Sequence, residues 1–206
     1  MSPASKPYHH GDLKQALLKE AERILEEEGI QGLTLRAAAR AVGVSHTAPQ
    51  NHFGDLTGLL SELAAGGYQR LGAVLSSAVE AAAPEPRLRL RAMGRAYIAF
   101  VKTHPGLFTL MFRSERLDGA RPALQDAIAN TRRILREAVG AVTPVEPSTS
   151  PLDTVARTTA VWALVHGYAM LMLEGRLKTA LASLPGESAD TLFEAVMNSL
   201  SFAGVD

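Results

Sequence analysis

LRAAARAVGVSHTAPQNHF, residues 35 to 53, decides how the rest of the chain is read. It consists of two short helical patterns joined at a glycine, the spacing of a helix-turn-helix. Thr34 is placed to cap the first helix, which runs to about Val42 with Leu35, Ala38, Ala39 and Val42 facing inward. Ala39 is small where two helices must approach, Gly43 can take the positive φ of the turn, and Val44 plugs the gap. Ser45 is expected to cap the second helix, which ends near His52. On a wheel started at Ser45, Pro49 and Phe53 share the core side. Thr47, Ala48 and Asn51 point the other way, with His46 and Gln50 on the flanks. A short helix presenting Ser45, His46, Thr47, Gln50 and Asn51 outward offers donors and acceptors to base edges and phosphates. The same pattern also suits a helical corner with a solvated polar face.

Outward from this stretch the chain continues as helices. Before it, Asp12 with Gln15 resembles a capping-box start, Leu13, Leu17, Ala21 and Ile24 form one stripe, and Gly29 sits at a C-terminal cap. After it, Asp55 opens a fourth helix to about Ala83, stopped by Pro84 and Pro86. Further helices are predicted over 87–103, 105–113, 122–142, 152–175 and 190–203. Proline and Ser/Thr in residues 143–151 predict a loop, as does the segment 183–188. No stretch sustains period-two alternation, so the expected fold is all-α with about nine helices. A three-helix head over residues 1–55 precedes a larger helical body over 56–206.

Composition fits a soluble globular protein. The 206 residues are 47% hydrophobic, enough for a core of ordinary size, and no cysteine is present to form disulfides or thiolate metal sites. Ala160–Leu173, the longest nearly apolar run, contains His166 and Gly167 and is too short to span a bilayer. Residues 1–10 lack the apolar stretch of a secretory signal, so a cytoplasmic location is expected. With 21 Lys+Arg against 21 Asp+Glu, nucleic-acid binding must rest on local geometry, not on net charge.

The flanks of the opening stretch carry a family resemblance. GLTLRAAARAVGVS, a short helix ending in HF, an acidic cap and GLL (residues 32–60) resemble the DNA-binding head of the TetR family of bacterial transcriptional repressors. YHHGDLKQALLKEA (8–21), THPGLFTLMF (103–112) and WALVHGYAMLMLEG (162–175) are similar to one branch of it, marked by a Trp-His-Gly motif. The resemblance implies that Thr34 and Arg36 touch the phosphate backbone and that His46 and Thr47 meet bases. It further implies that Gln50, Asn51 and His52 hold phosphates or sugars beside the groove. Gln50 stands where the family usually has Tyr, and Leu56 where it usually has a phosphate-binding Lys. Residues 1–60 hold six Lys/Arg against seven Asp/Glu, so modest backbone affinity is expected. Glu26, Glu27 and Glu28, at the end of helix one, are expected to turn away from DNA.

In the body, Tyr97, Phe100, Phe108, Met111, Phe112, Trp162, His166 and Met170 are candidates for a cavity that takes a small apolar or aromatic ligand. Tyr168 and Met172 belong to the same bulky set, and for any one of these residues plain core packing is the favoured reading. His166 reads either as a satisfied core histidine or as a pocket hydrogen-bond partner. The cluster Arg87, Arg89, Arg91 and Arg95 reads as a solvated face or an anion site. Adjacent His9 and His10 would point oppositely on an extended segment, so no metal and no cofactor is expected. No GxSxG, HExxH, GxxxxGK[ST] or strand-borne GxGxxG occurs, and no enzyme activity is expected. The resulting expectation is a ligand-responsive repressor that binds a palindromic operator as a homodimer. The alternative is an all-α small-molecule binding protein with weak or no DNA affinity.

Overall fold

A computed structural model of the chain describes residues 10–142 and 150–199, with side chains from Leu13 onward. Asp12, His9 and most of the expected loop at 143–151 lie outside those residues or their described side chains. The fold is all-α. Its helices are α1 (His10–Gly32), α2 (Leu35–Val42), α3 (Ala48–Phe53), α4 (Leu56–Ala81) and α5 (Pro86–Thr103). They continue as α6 (Pro105–Met111), α7 (Pro122–Val142), α8 (Pro151–Leu173), α9 (Leu177–Leu181) and α10 (Ala189–Ser199). A single 3₁₀ turn, Ser114–Arg116, follows α6. None of these helices is long and apolar enough to cross a membrane.

Two points differ from the sequence expectation. There are ten α-helices among the described residues instead of about nine, because α9 spans only five residues with no buried side chain, too short to show a helical period. Gly29 does leave the helical conformation, at φ 72° and ψ −178°, but a further turn carries the chain to Gly32.

Packing groups the chain into two compact units. One comprises the residues up to Arg70 together with His104–Ala129. In it α1 packs on α2 and α6, and α2 packs on α3. Leu17, Ala21, Ile24 and Leu25 of α1 are buried, as are Ala38, Ala39, Phe53, Leu107, Phe108 and Leu110. The Glu26 carboxylate accepts the first backbone N–H groups of α6, from Gly106 at 2.7 Å and Leu107 at 2.9 Å. An acidic group there complements the helix dipole and satisfies donors that have no partner within the helix. Gly106 is required at this junction, since a Cβ would lie 2.8 Å from the Leu25 carbonyl oxygen. Glu22 on the same face of α1 takes a two-pronged hydrogen bond from Arg70, both arms at 2.8 Å.

The other unit comprises Leu71–Thr103 and the chain from Asn130 on. Here α5 packs against α8, and Gly94 leaves room for the Phe193 ring, which a Cβ would approach to 3.2 Å. Arg95 and Lys102 of α5 pair with Glu194 and Asp190 of α10. Ser150 and Asp153 form a capping box at the start of α8.

Candidate nucleic-acid interface

The α2–α3 pair forms as its residue types require. The Thr34 hydroxyl oxygen accepts a 3.0 Å hydrogen bond from the Ala37 N–H, which caps α2. Gly43 closes it in the left-handed region at φ 77°, its N–H directed to Ala39 and Arg40 carbonyls. Ala38 and Ala39 are buried, while Leu35, Val42 and Val44 are half-buried.

Ser45 does not cap α3. Its hydroxyl meets the Thr47 hydroxyl at 2.9 Å and accepts the Thr47 N–H at 3.4 Å, closing a turn from Ser45 to Thr47. The helix begins one turn later, at Ala48, with Pro49 at its second position, where proline's missing N–H costs nothing. A local Ser–Thr turn competes with capping for the same hydroxyl, and here the turn wins.

Pro49 and Phe53 are buried, as the wheel predicts. Thr34, Arg36, Ser45, His46, Thr47, Gln50 and Asn51 are exposed, and His52 is half-buried beside the Phe53 ring. The structure therefore gathers Ser45, His46, Thr47, Gln50 and Asn51 on one turn and one short helix, with Thr34 and Arg36 at the start of α2. Arg36 and Arg40 are exposed and make no ion pair among the described residues. Lys14 instead pairs with Glu62 at 2.9 Å, and Arg23 with Glu20 and Glu27.

The eight candidate sensing residues divide between the units. Phe108, Met111 and Phe112 belong to the unit that holds α1–α3. Phe108 is fully buried, with its ring centroid 4.9 Å from that of Phe112. Tyr97, Phe100, Trp162, His166 and Met170 belong to the other unit. There the Tyr97 hydroxyl and His166 Nδ1 are 3.0 Å apart, and the Trp162 and His166 rings lie 5.6 Å apart, centroid to centroid. Burial pushes the His166 imidazole below its ordinary pKa and so favours the neutral ring, which can both donate and accept. Tyr97 and Phe100 are buried and Met170 is half-buried, whereas Trp162 is 42% exposed.

One residue near the α3 end was not legible in the sequence. Arg121, before α7, places a guanidinium N–H 3.1 Å from the Phe53 carbonyl oxygen. The two lie 68 positions apart, and no local pattern announces the pairing.

Residues 90–200 match the family model of the tetracyclin repressor-like C-terminal domain. A solved structure from Rhodococcus sp. RHA1, described as a protein with unknown function, is 34% identical, with a TM-score of 0.75 over 94% of this chain and 96% of that one. The TetR family transcriptional regulator PfmR from Thermus thermophilus shares the fold at 20% identity, with a TM-score of 0.60 over 88% of this chain and 94% of that one. AibR, solved with isovaleryl coenzyme A and operator DNA, does so at 17% identity, with a TM-score of 0.62 over 91% and 97% of the two chains. Comparison with curated proteins finds no match.

Proposed function

Since the chain belongs to the TetR family of transcriptional regulators, we propose that it is a ligand-responsive repressor that binds a palindromic operator as a homodimer. The observation that carries this reading is the exposed polar surface of His46, Thr47, Gln50 and Asn51, presented by the turn before α3 and by α3 itself, a helix whose opposite side is anchored through Pro49 and Phe53. Such a helix can enter the major groove, where base edges carry a distinct donor and acceptor code. His46 and Thr47 stand at its leading end and are assigned to bases; Thr34, Arg36, Ser45, Gln50, Asn51 and His52 are assigned to the backbone. The head, residues 1–55, is the DNA-reading part and residues 56–206 the sensing and dimerising part.

Dimerisation is assigned to α8 and α10. Along α8, Leu152 is 75% exposed and Val155 62%, and Trp162, on the same side of the helix, is also exposed. No charged residue interrupts α8 between Arg157 and its end at Leu173. An apolar stripe of this kind is what a two-fold helical interface covers. Two heads are needed because one short helix reads only a few base pairs.

The sensing group is assigned to Tyr97, Trp162 and His166, with Phe100 and Met170 from the same unit; Phe108, Met111 and Phe112 are the candidates that the other unit holds. Its neutral imidazole, phenol and indole suit a small apolar or aromatic molecule with one polar end. AibR was solved with both an acyl coenzyme A and DNA, which supports a ligand-responsive reading of the shared fold. A regulator of this kind acts in the cytoplasm, without a cofactor and without enzymatic turnover.

The test is a base-preference measurement. Replacing Thr47 with a bulky residue is expected to change which operator bases are preferred, each contact being worth about 1–3 kcal/mol. Arg36→Ala is expected to weaken all sequences about equally, because a phosphate contact carries no sequence information. If Arg36→Ala shifts base preference while Thr47 variants leave it unchanged, the assignment of α3 to the groove is wrong.

A further inference from the structure

We infer that Arg121 is a positioning residue for DNA recognition, holding the C-terminal end of α3 from the segment that joins α6 to α7; this rests on the proposal that α3 reads DNA.

The helix it holds is six residues long. A helix this short has little stability of its own and must be fixed at its ends and by its buried face. Its start is the Ser45–Thr47 turn and its buried face is Pro49 and Phe53. At its far end, Gly54 takes φ 81° and returns its N–H to the Gln50 carbonyl at 2.9 Å. The Phe53 carbonyl still faces outward from the helix end, where the helix dipole is negative. Arg121 supplies both a donor and a positive charge there, with Nη2 donating to Phe53 O at 3.1 Å.

Arg121 is itself held. Its Nη1 lies 3.6 Å from Glu62 of α4, and its Nε, buried and without a hydrogen-bond partner among the described residues, lies 3.5 Å from the Asp118 carboxylate as an ion pair only. Glu62 also takes the Lys14 ammonium at 2.9 Å, so α1, α4 and the Arg121 segment share one carboxylate. The segment is pinned a second time where the Asp118 N–H donates to Ser61 Oγ at 2.8 Å. Ser61 is the one buried polar residue of the described core and donates in turn to Thr57 O at 2.7 Å. At the α6 end, the Tyr68 hydroxyl donates to Met111 O at 3.0 Å. Between Met111 and Arg121 the chain is thus fastened to α4 at Met111, Asp118 and Arg121, and the last of these also grips the recognition helix.

The approach leaves no slack. At Gly58, in the first turn of α4, a Cβ would fall 1.9 Å from Phe53 O and 2.5 Å from Arg121 Nη2. The end of α3, the start of α4 and the Arg121 guanidinium therefore occupy one small volume. Displacing Arg121 leaves the Phe53 carbonyl without its charged donor and frees the end of α3 to shift.

The test compares full-length wild type, Arg121→Ala and Arg121→Lys. Operator affinity, affinity for unrelated DNA, their salt dependence, and backbone amide exchange of residues 50–54 in the DNA-free protein are measured on each. Arg121→Ala is expected to lower operator affinity about tenfold and to speed exchange at the α3 end about tenfold. Affinity for unrelated DNA and the salt slope should stay unchanged, and Arg121→Lys should regain part of the loss. If Arg121→Ala is too unstable to assay, the partial loss in Arg121→Lys decides, and wild-type behaviour there in both exchange and operator affinity overturns the inference. Unchanged exchange in Arg121→Ala also overturns it. So does an equal loss on operator and unrelated DNA with the slope reduced by about one per replaced arginine, since Arg121 would then be a phosphate contact. If wild type shows no operator preference, the DNA-reading proposal fails, while the exchange data still decide whether Arg121 holds α3.

Discussion

Phe108→Ala is expected to destabilise the protein by about 3–5 kcal/mol, the cost of emptying a fully packed aromatic site. Phe108 has no exposed surface, sits in α6 between buried Leu107 and Leu110, and packs its ring on Phe112. The N-terminus of α6 is clamped by Glu26 of α1, so loosening α6 also loosens the helix that supports the head. Operator binding is therefore expected to fall together with the unfolding midpoint, measured by chemical denaturation of the full chain. Trp162→Ala is expected to behave differently. Its side chain is 42% exposed, so it should cost less than about 1 kcal/mol of protomer stability while removing the response to ligand through its neighbour His166. A Phe108→Ala protein with wild-type stability would mean that α6 can repack around the vacated volume.

Salt gives the second large effect. In the head, Lys14 and Arg23 are engaged by carboxylates, and Leu56 offers no charge at the start of α4. Arg36, Arg40 and Lys19 are exposed and make no ion pair among the described residues. Each protomer then neutralises about two or three phosphates, and the dimer's log affinity should fall against log salt with a slope near −4 to −6. Raising salt from about 50 to about 200 mM should weaken operator binding by roughly 250- to 4,000-fold. A slope near −10, measured by fluorescence anisotropy, would require cations beyond these three, for instance from residues 1–9.

What the sequence made legible was whatever local chemistry determines. Thr34 before an apolar period and Gly43 after it mark the ends of α2 because a cap and a left-handed residue are satisfied within a few positions. Pro49 and Phe53, one helical turn apart, mark the buried side of α3 for the same reason. Ser45 misled because a serine before a helical pattern can cap or close a turn, and the choice depends on its Thr47 neighbour. Helix α9 left no trace because five residues carry no period. The contacts that join distant elements were illegible. Glu26 reads as one of three consecutive glutamates, yet it caps α6 from 80 positions away, and nothing near Arg121 signals Phe53. Among the candidate sensing residues, type alone gave the same reading for buried Phe108 and exposed Trp162, which the fold separates.

Reading of a specific DNA site by α3 of a dimer is the centre of the proposed function. The most direct measurement is titration of the purified protein against DNA flanking its own gene and against unrelated DNA of equal length, with the stoichiometry of the complex taken from sedimentation. Two chains per site and a preference of at least about 10³-fold for the flanking DNA are expected. Equal affinity for both DNAs, or binding by a single chain, would contradict that role for α3.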